Sequence, residues 1–151
     1  MTPDAVDLKL LRALLADGGL TAKEAGLAAG VSQPVAWRRI RRMEEAGIIT
    51  GRRIELDPKK LGYEVVVFLG VKLAAKGRAS VEAFERAAAA IPEVQLIQYV
   101  LGVYDYRLRV VARDLSDFER ILRRRIMTLP GVGEVESNVL LKQEKVATVR
   151  I

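Results

Sequence analysis

Apolar positions in the first third of the chain recur at helical intervals. Val6, Leu8, Leu11, Leu14 and Leu15 keep the spacing of one helix face, and the run stops at Asp17-Gly18-Gly19, a C-cap and turn signal. Thr21 stands three residues before Glu24, the spacing of a capping box, and opens a short helix of small residues, AKEAGLAA. Gly30-Val31 ends that helix. Ser32 then offers an N-cap with Pro34 in the first turn, and Gly47 supplies the C′ residue of the third helix. Two helices joined by a tight glycine turn, with Ala25 and Gly26 small enough for a close crossing, predict a helix-turn-helix. In the third helix Val31, Ala36, Ile40 and Met43 line the inward face and Trp37 flanks it. Val35, Arg38, Arg39 and Arg42 fall opposite at i, i+3, i+4 and i+7.

The pattern then changes period. Ile48 to Leu56 reads as a short strand pair, or wing, and Asp57-Pro58 is a break. The expected division is a DNA-binding domain over 1–50, a strand linker over 51–61 and a second domain over 62–151. Tyr63 to Leu73 is rich in β-branched and aromatic residues and predicts a buried strand; a helix follows over Ser80–Ala90. Next come the strand VQLIQYV, the turn GVYD and the strand YRLRVVA. Ser116 and Glu119 have capping-box spacing before a helix to about Met127, and Val135–Lys142 predicts a last strand. The tail KVATVRI also alternates like a strand. The halves echo each other: Ser80, Phe84-Glu85-Arg86 and Ile91-Pro92-Glu93-Val94 against Ser116, Phe118-Glu119-Arg120 and Leu129-Pro130-Gly131-Val132. The fold class is therefore α+β, an N-terminal winged helix-turn-helix followed by a ferredoxin-like βαββαβ sandwich. One sheet face is left without a covering layer; Val65, Val67, Leu69 and Val71 are expected on it, which implies a second copy as partner.

Charge sharpens this picture. The chain has 151 residues and a net charge of +6. Between Arg38 and Arg53 six arginines face only Glu44 and Glu45, whereas residues 54–151 hold sixteen basic and thirteen acidic side chains. The excess sits on and just after the third helix, where a polyanionic partner is expected. There is no cysteine and no histidine, which removes disulfides, thiol nucleophiles, the commonest general base and the commonest metal ligand. Neither a cofactor nor a metal is expected. No apolar stretch approaches the roughly 18 residues of a membrane span, and the opening MTPDAVDLKLL lacks the form of a signal peptide, so a cytoplasmic place is expected.

In a helix-turn-helix the second helix enters the major groove with its N-terminal residues nearest the base edges. Ser32, Gln33, Val35, Arg38 and Arg39 are therefore the candidate readers, Gln suiting adenine and Arg suiting guanine or a phosphate. Thr21, Arg42 and Arg52 complete the candidate DNA-contacting set, with Arg52 and Arg53 placed to reach the backbone. Arg41 lies off the reading face, a phosphate or solvent contact.

With VDLKLLRALLADGGLTAKEAGLAAGVSQPVAWRRIRRMEEAGII, LDPKKLGYEVVVFLGVKL, LGVYDY and LPGVGEVESNVLLK collinear, the chain resembles the Lrp/AsnC (leucine-responsive/asparagine-activator, feast/famine) transcription regulators over nearly its whole length. That resemblance implies homodimers assembling further, up to tetramers of dimers (octamers), on double-stranded DNA. It also implies a small effector, often an amino acid, held where dimers meet. The family's Gly-Asp-aromatic-Asp effector loop reads Gly102-Val103-Tyr104-Asp105 here, so Asp105 matches and Val103 departs. Turn N–H groups can hold a carboxylate and Asp105 an ammonium. Ser137 and Asn138 fall in the family's other ligand-lining stretch. A plain hairpin turn accounts for GVYD equally well. Two other functions remain open at this point. One is an architectural DNA-binding protein without an effector. The other is an enzyme like the siroheme decarboxylases, which share the architecture but whose chemistry is associated with histidine.

Overall fold

In the computed structural model, residues 1–144 are described, and the expected tail strand KVATVRI lies outside them. The chain divides into two compact units, Met1–Leu56 and a second beginning at Asp57.

The first unit is three helices: α1 (Ala5–Ala16), α2 (Ala22–Ala29) and α3 (Gln33–Glu45). Its core is Leu10, Ala25, Ala29, Ala36, Ile40 and Met43, with Val6, Leu11, Leu14 and Val31 packed around them. Of the apolar run in α1, Leu15 is exposed and Leu10 takes the central place. Thr21 and Glu24 form the expected capping box, and Gly30 ends α2 in the left-handed region at φ 74°. The close crossing needs glycine at position 26. A Cβ there would lie 2.9 Å from the Val31 carbonyl oxygen and 3.1 Å from the Ala36 Cβ. Among the described residues the strand pair expected over Ile48–Leu56 is absent: 51–56 have no regular secondary structure, and Ile54 and Leu56 are exposed.

The second unit opens with a single 3₁₀ turn (Lys59–Leu61) and continues with β1 (Val65–Leu73), α4 (Arg78–Ala89), β2 (Val94–Tyr99), β3 (Tyr106–Ala112), α5 (Leu115–Ile121) and β4 (Val132–Val139). All strand pairs are antiparallel, in the order β2-β3-β1-β4, which is the ferredoxin-like arrangement. β4 begins three residues earlier than its apolar pattern suggested, because Val132 already pairs with Leu73. Neither serine caps its helix. Arg78 starts α4 ahead of Ser80, and the Asp114 carboxylate caps α5 by accepting from the Asp117 N–H at 2.7 Å, which leaves Ser116 inside the helix. The rest of the echo survives in the packing: Phe84 and Phe118, then Ile91 and Leu129, occupy matching core positions. The second half of α5 runs on as a π-helical turn over Leu122–Ile126, which brings Ile126 into the core and leaves Arg123, Arg124 and Arg125 exposed.

Strand register corrects the assignment of the sheet faces. Val67, Leu69 and Val71 pair with Val110, Leu108 and Tyr106, and all six are buried with Phe84 and Phe118 beneath the helices. The uncovered face carries the alternate residues. Val66, Phe68 and Lys72 lie on β1, Arg107 and Arg109 on β3, Leu96 and Gln98 on β2, and Glu134, Glu136 and Asn138 on β4. It is a mixed face, apolar at its centre and charged around it. A run of valines hides which set of alternate residues turns inward, since both sets are apolar.

Candidate nucleic-acid interface and effector loop

The N-terminal turn of α1 builds a carboxylate cluster. Asp4 caps the helix, accepting from the Val6 and Asp7 N–H groups at 2.9 Å each, and the Asp7 carboxylate accepts from the Asp4 N–H at 3.1 Å. Asp7 is fully buried. A buried carboxylate needs cations, and α3 supplies two. Arg39 Nη1 donates to Asp4 Oδ2 at 2.6 Å and to Asp7 Oδ1 at 2.9 Å; Arg42 Nη2 donates to Asp7 Oδ2 at 2.9 Å. The Arg39 guanidinium, then the Asp7 N–H, hold the Asp4 carboxyl below its ordinary range. Arg39 is held protonated the more firmly, through Asp4 first and Asp7 second.

Helical spacing grouped Arg38, Arg39 and Arg42, and the structure separates them. Half-buried Val35 shares its flank of α3 with Arg39 and Arg42, which are engaged by α1. Arg38 is exposed and has no partner among the described residues. Gln33 is exposed, and so is Ser32, which takes the N-cap position without making a side-chain cap bond. Among the described residues the first-turn N–H groups of α3 therefore have no side-chain acceptor. Thr21 is exposed, but its hydroxyl and N–H both bond Glu24 at 2.8 Å. Arg52 turns back onto its own unit, donating to the carbonyls of Gly18 (3.3 Å) and Leu20 (3.0 Å), so it braces the α1–α2 turn. Asp4 and Asp7 were missed from sequence. The available signal was an acid at position 7 sharing a helix stripe with Leu10, Leu11 and Leu14, a place that demands a buried cation.

The loop between β2 and β3 carries the second candidate set. Gly102 and Val103 are exposed at its tip. The N–H groups of residues 101–104 have no hydrogen-bond acceptor among the described residues, while Val100 N–H and Asp105 N–H bond the Asp105 and Val71 carbonyls at 2.9 Å each. Tyr104 folds over the sheet at Gly70, where a Cβ would lie 2.6 Å from its ring, and its hydroxyl donates to Glu136 on β4. Asn138 Nδ2 donates to the other Glu136 oxygen at 3.1 Å. Tyr104 and Asn138 thus meet through Glu136, a residue that sequence reasoning did not select. The Tyr104 bond, then the Asn138 bond, keep the Glu136 carboxyl below its usual range, and Glu136 raises the Tyr104 phenol. Ser137 pairs with Leu69 on the opposite face of β4 from Glu136 and Asn138. Asp105 is turned away from this group. It accepts from the Leu73 N–H and from the Lys76 ammonium, both at 2.9 Å, and these two bonds, in that order, hold its carboxyl down.

Residues 3–50 match the winged helix-turn-helix DNA-binding family, and residues 66–149 match the Lrp/AsnC ligand binding domain. The chain belongs to the Lrp/AsnC family. A leucine-responsive regulatory protein from Rhizobium meliloti is 35% identical across 94% of this chain and 91% of its own length. The regulatory protein AsnC of Escherichia coli is 30% identical across 97% and 95%. Among solved structures, a transcriptional regulator from Neisseria meningitidis in complex with L-methionine superposes with a TM-score of 0.92 at 27% identity, over 97% of this chain and 95% of the other. Like these Lrp/AsnC relatives, the chain is a DNA-binding transcriptional regulator and not an enzyme, so the decarboxylase reading falls away. Among the described residues no helix is long and apolar enough to cross a membrane.

Proposed function

We propose that this regulator binds operator DNA from the cytoplasm as a homodimer that assembles further, and that its β2–β3 loop binds an amino acid that tunes it. The observation that carries the effector reading is the loop itself. Four successive N–H groups at residues 101–104 have no acceptor among the described residues, and a carboxylate, Asp105, follows directly. Such a row of N–H groups suits an α-carboxylate, and Asp105 suits an α-ammonium in exchange for Lys76. The L-methionine complex of the Neisseria regulator supports the same ligand class. Ser137 and Asn138 complete the site from a second copy. Dimers form on the uncovered sheet face, where Phe68 and Leu96 give the apolar centre and Lys72, Arg107, Glu134 and Glu136 give charges of both signs, which a twofold axis can set against each other.

Two measurements test this reading. A thermal-shift screen of the full chain against the common amino acids is expected to find at least one that stabilises it, by about 2.7 kcal/mol at a hundredfold excess over Kd. Asp105→Ala is expected to abolish that shift and leave DNA affinity unchanged. No shift from any amino acid, or the same shift in Asp105→Ala, removes the loop as an effector site. On the DNA side Ser32, Gln33 and Arg38, all exposed, are placed for the groove and Thr21 for the backbone, while Val35 lies on the flank closed by α1. Arg38→Ala is expected to weaken binding and to lower the slope of log K against log salt by about 1 if it meets a phosphate. A loss of guanine preference at one position places it on a base instead, and unchanged affinity and salt slope take Arg38 out of the interface.

A further inference from the structure

Trp37 is the chain's single tryptophan and stands 59% exposed on α3, amid a helix that is otherwise charged on its outer side. It does not belong to the core, which on this helix is Ala36, Ile40 and Met43. Gln33, Trp37 and Arg41 follow one another at i, i+4 and i+8, so they form one row along α3, with Arg38 beside it. Within α3 no acid precedes Glu44. The Arg41 guanidinium lies over the indole face, 6.0 Å from the ring centroid. Arg41 also meets Glu44 and Glu45 at 3.8 Å each, long and solvent-exposed pairs that give up little when a phosphate takes the arginine. The row on the other flank is closed, because Arg39 and Arg42 are bound to Asp4 and Asp7.

We infer that the Gln33–Trp37–Arg41 row, with Arg38, is the groove-facing surface of α3, and that the Trp37 indole reads the C5-methyl group of a thymine in the major groove. An apolar side chain discriminates thymine through that methyl group, the one apolar feature on the major-groove edges. The flank has the charge for DNA: Arg38 and Arg41 are the helix-surface neighbours of Trp37. Gln33, near the helix N-terminus, is placed for an adjacent base and Arg41 for the phosphate backbone. This inference rests on the operator-binding reading above.

The test uses the full chain and a duplex that it selects from a random-sequence library. Each thymine of that duplex is replaced in turn by deoxyuridine, which lacks only the methyl group. The wild-type chain is expected to bind about fourfold more weakly when the contacted thymine is replaced. Trp37→Ala is expected to lose roughly tenfold on the parent duplex and to bind the thymine and deoxyuridine forms equally. Because Trp37 is the chain's only tryptophan, its emission reports the contact directly, and the duplex is expected to shield it from iodide. Equal binding of the wild-type chain at every deoxyuridine position overturns the inference and leaves operator binding standing, and this comparison needs no variant to fold. Iodide access unchanged by DNA, or shielding that rises with protein concentration in the absence of DNA, overturns it as well. Failure to select any duplex overturns the operator-binding reading and this one together.

Discussion

Replacing Asp7 with asparagine lowers the stability of the three-helix unit by about 3 kcal/mol, the cost of breaking a buried ion pair from one side. Three donors converge on its two oxygens: Arg39 Nη1 on one, Arg42 Nη2 and the Asp4 N–H on the other. Asparagine keeps the shape but offers one oxygen, so at least one donor is left facing an NH2 group inside the protein. Arg42 is half exposed and recovers water, whereas Arg39, with a quarter of its side chain exposed, keeps only Asp4 as a charged acceptor. Hydrogen exchange on the full chain is the appropriate measurement, because it reports each unit separately. Amides of α1 and α3 are expected to lose roughly a hundredfold in protection while those of the β-sheet stay as they were. Operator affinity is expected to fall with it, since the α1–α3 clamp sets how α3 is presented. Unchanged exchange in α1 and α3 would show that the cluster is ornamental.

Gly26→Val is expected to cost as much, by an opposite mechanism. Asp7→Asn removes an interaction, and Gly26→Val inserts atoms where there is no room. The first added carbon already falls 2.9 Å from a backbone carbonyl and 3.1 Å from Ala36 Cβ, so the turn itself must move. Overpacking of this kind costs typically 1–3 kcal/mol, and a second layer of methyl groups takes Val to the upper end. Gly26→Ala separates the contributions. It gains about 1 kcal/mol in helix propensity and loses more than that to the clash, so it too destabilises. Gly30→Ala is the control: nothing lies within 4 Å of its added Cβ, and only the left-handed backbone at φ 74° is strained, at about 1–2 kcal/mol. Thermal unfolding with operator titration distinguishes these cases. Gly26→Ala is expected to lose affinity out of proportion to stability, because α3 tilts, and Gly30→Ala is expected to lose stability alone. Equal operator affinity for Gly26→Ala and the wild-type chain contradicts the proposed role of the crossing.

What the chain revealed in advance was whatever depends on neighbouring residues. The Thr21–Glu24 box, the Gly30 turn and the YRLRVVA strand are local arrangements, and each stands where the residues placed it. What stayed hidden depends on distant residues. Arg39 and Arg42 have the periodicity of an outward face, and only Asp4 and Asp7, some 32 to 35 positions away, draw their guanidinium groups onto α1. The valines of β1 satisfy both faces of a sheet, so register decided between them. Serine-first capping failed at Ser80 and Ser116 because alternative starts lay just upstream, at Gly77 and Asp114. The Lys76–Asp105 ion pair joins residues 29 positions apart, and no local pattern announces it.

The π-helical turn after α5 has a meaning for how this chain tolerates changes in length. Ile121 and Ile126 both sit in the core although they are five residues apart, one more than a regular α-helix uses to return to the same face. The turn therefore holds one residue in surplus, and that surplus lies among three consecutive arginines on the surface. Shortening the segment by one arginine restores ordinary helical pitch and leaves the inward isoleucines aligned. In this part of the domain the number of residues can change without altering the interior.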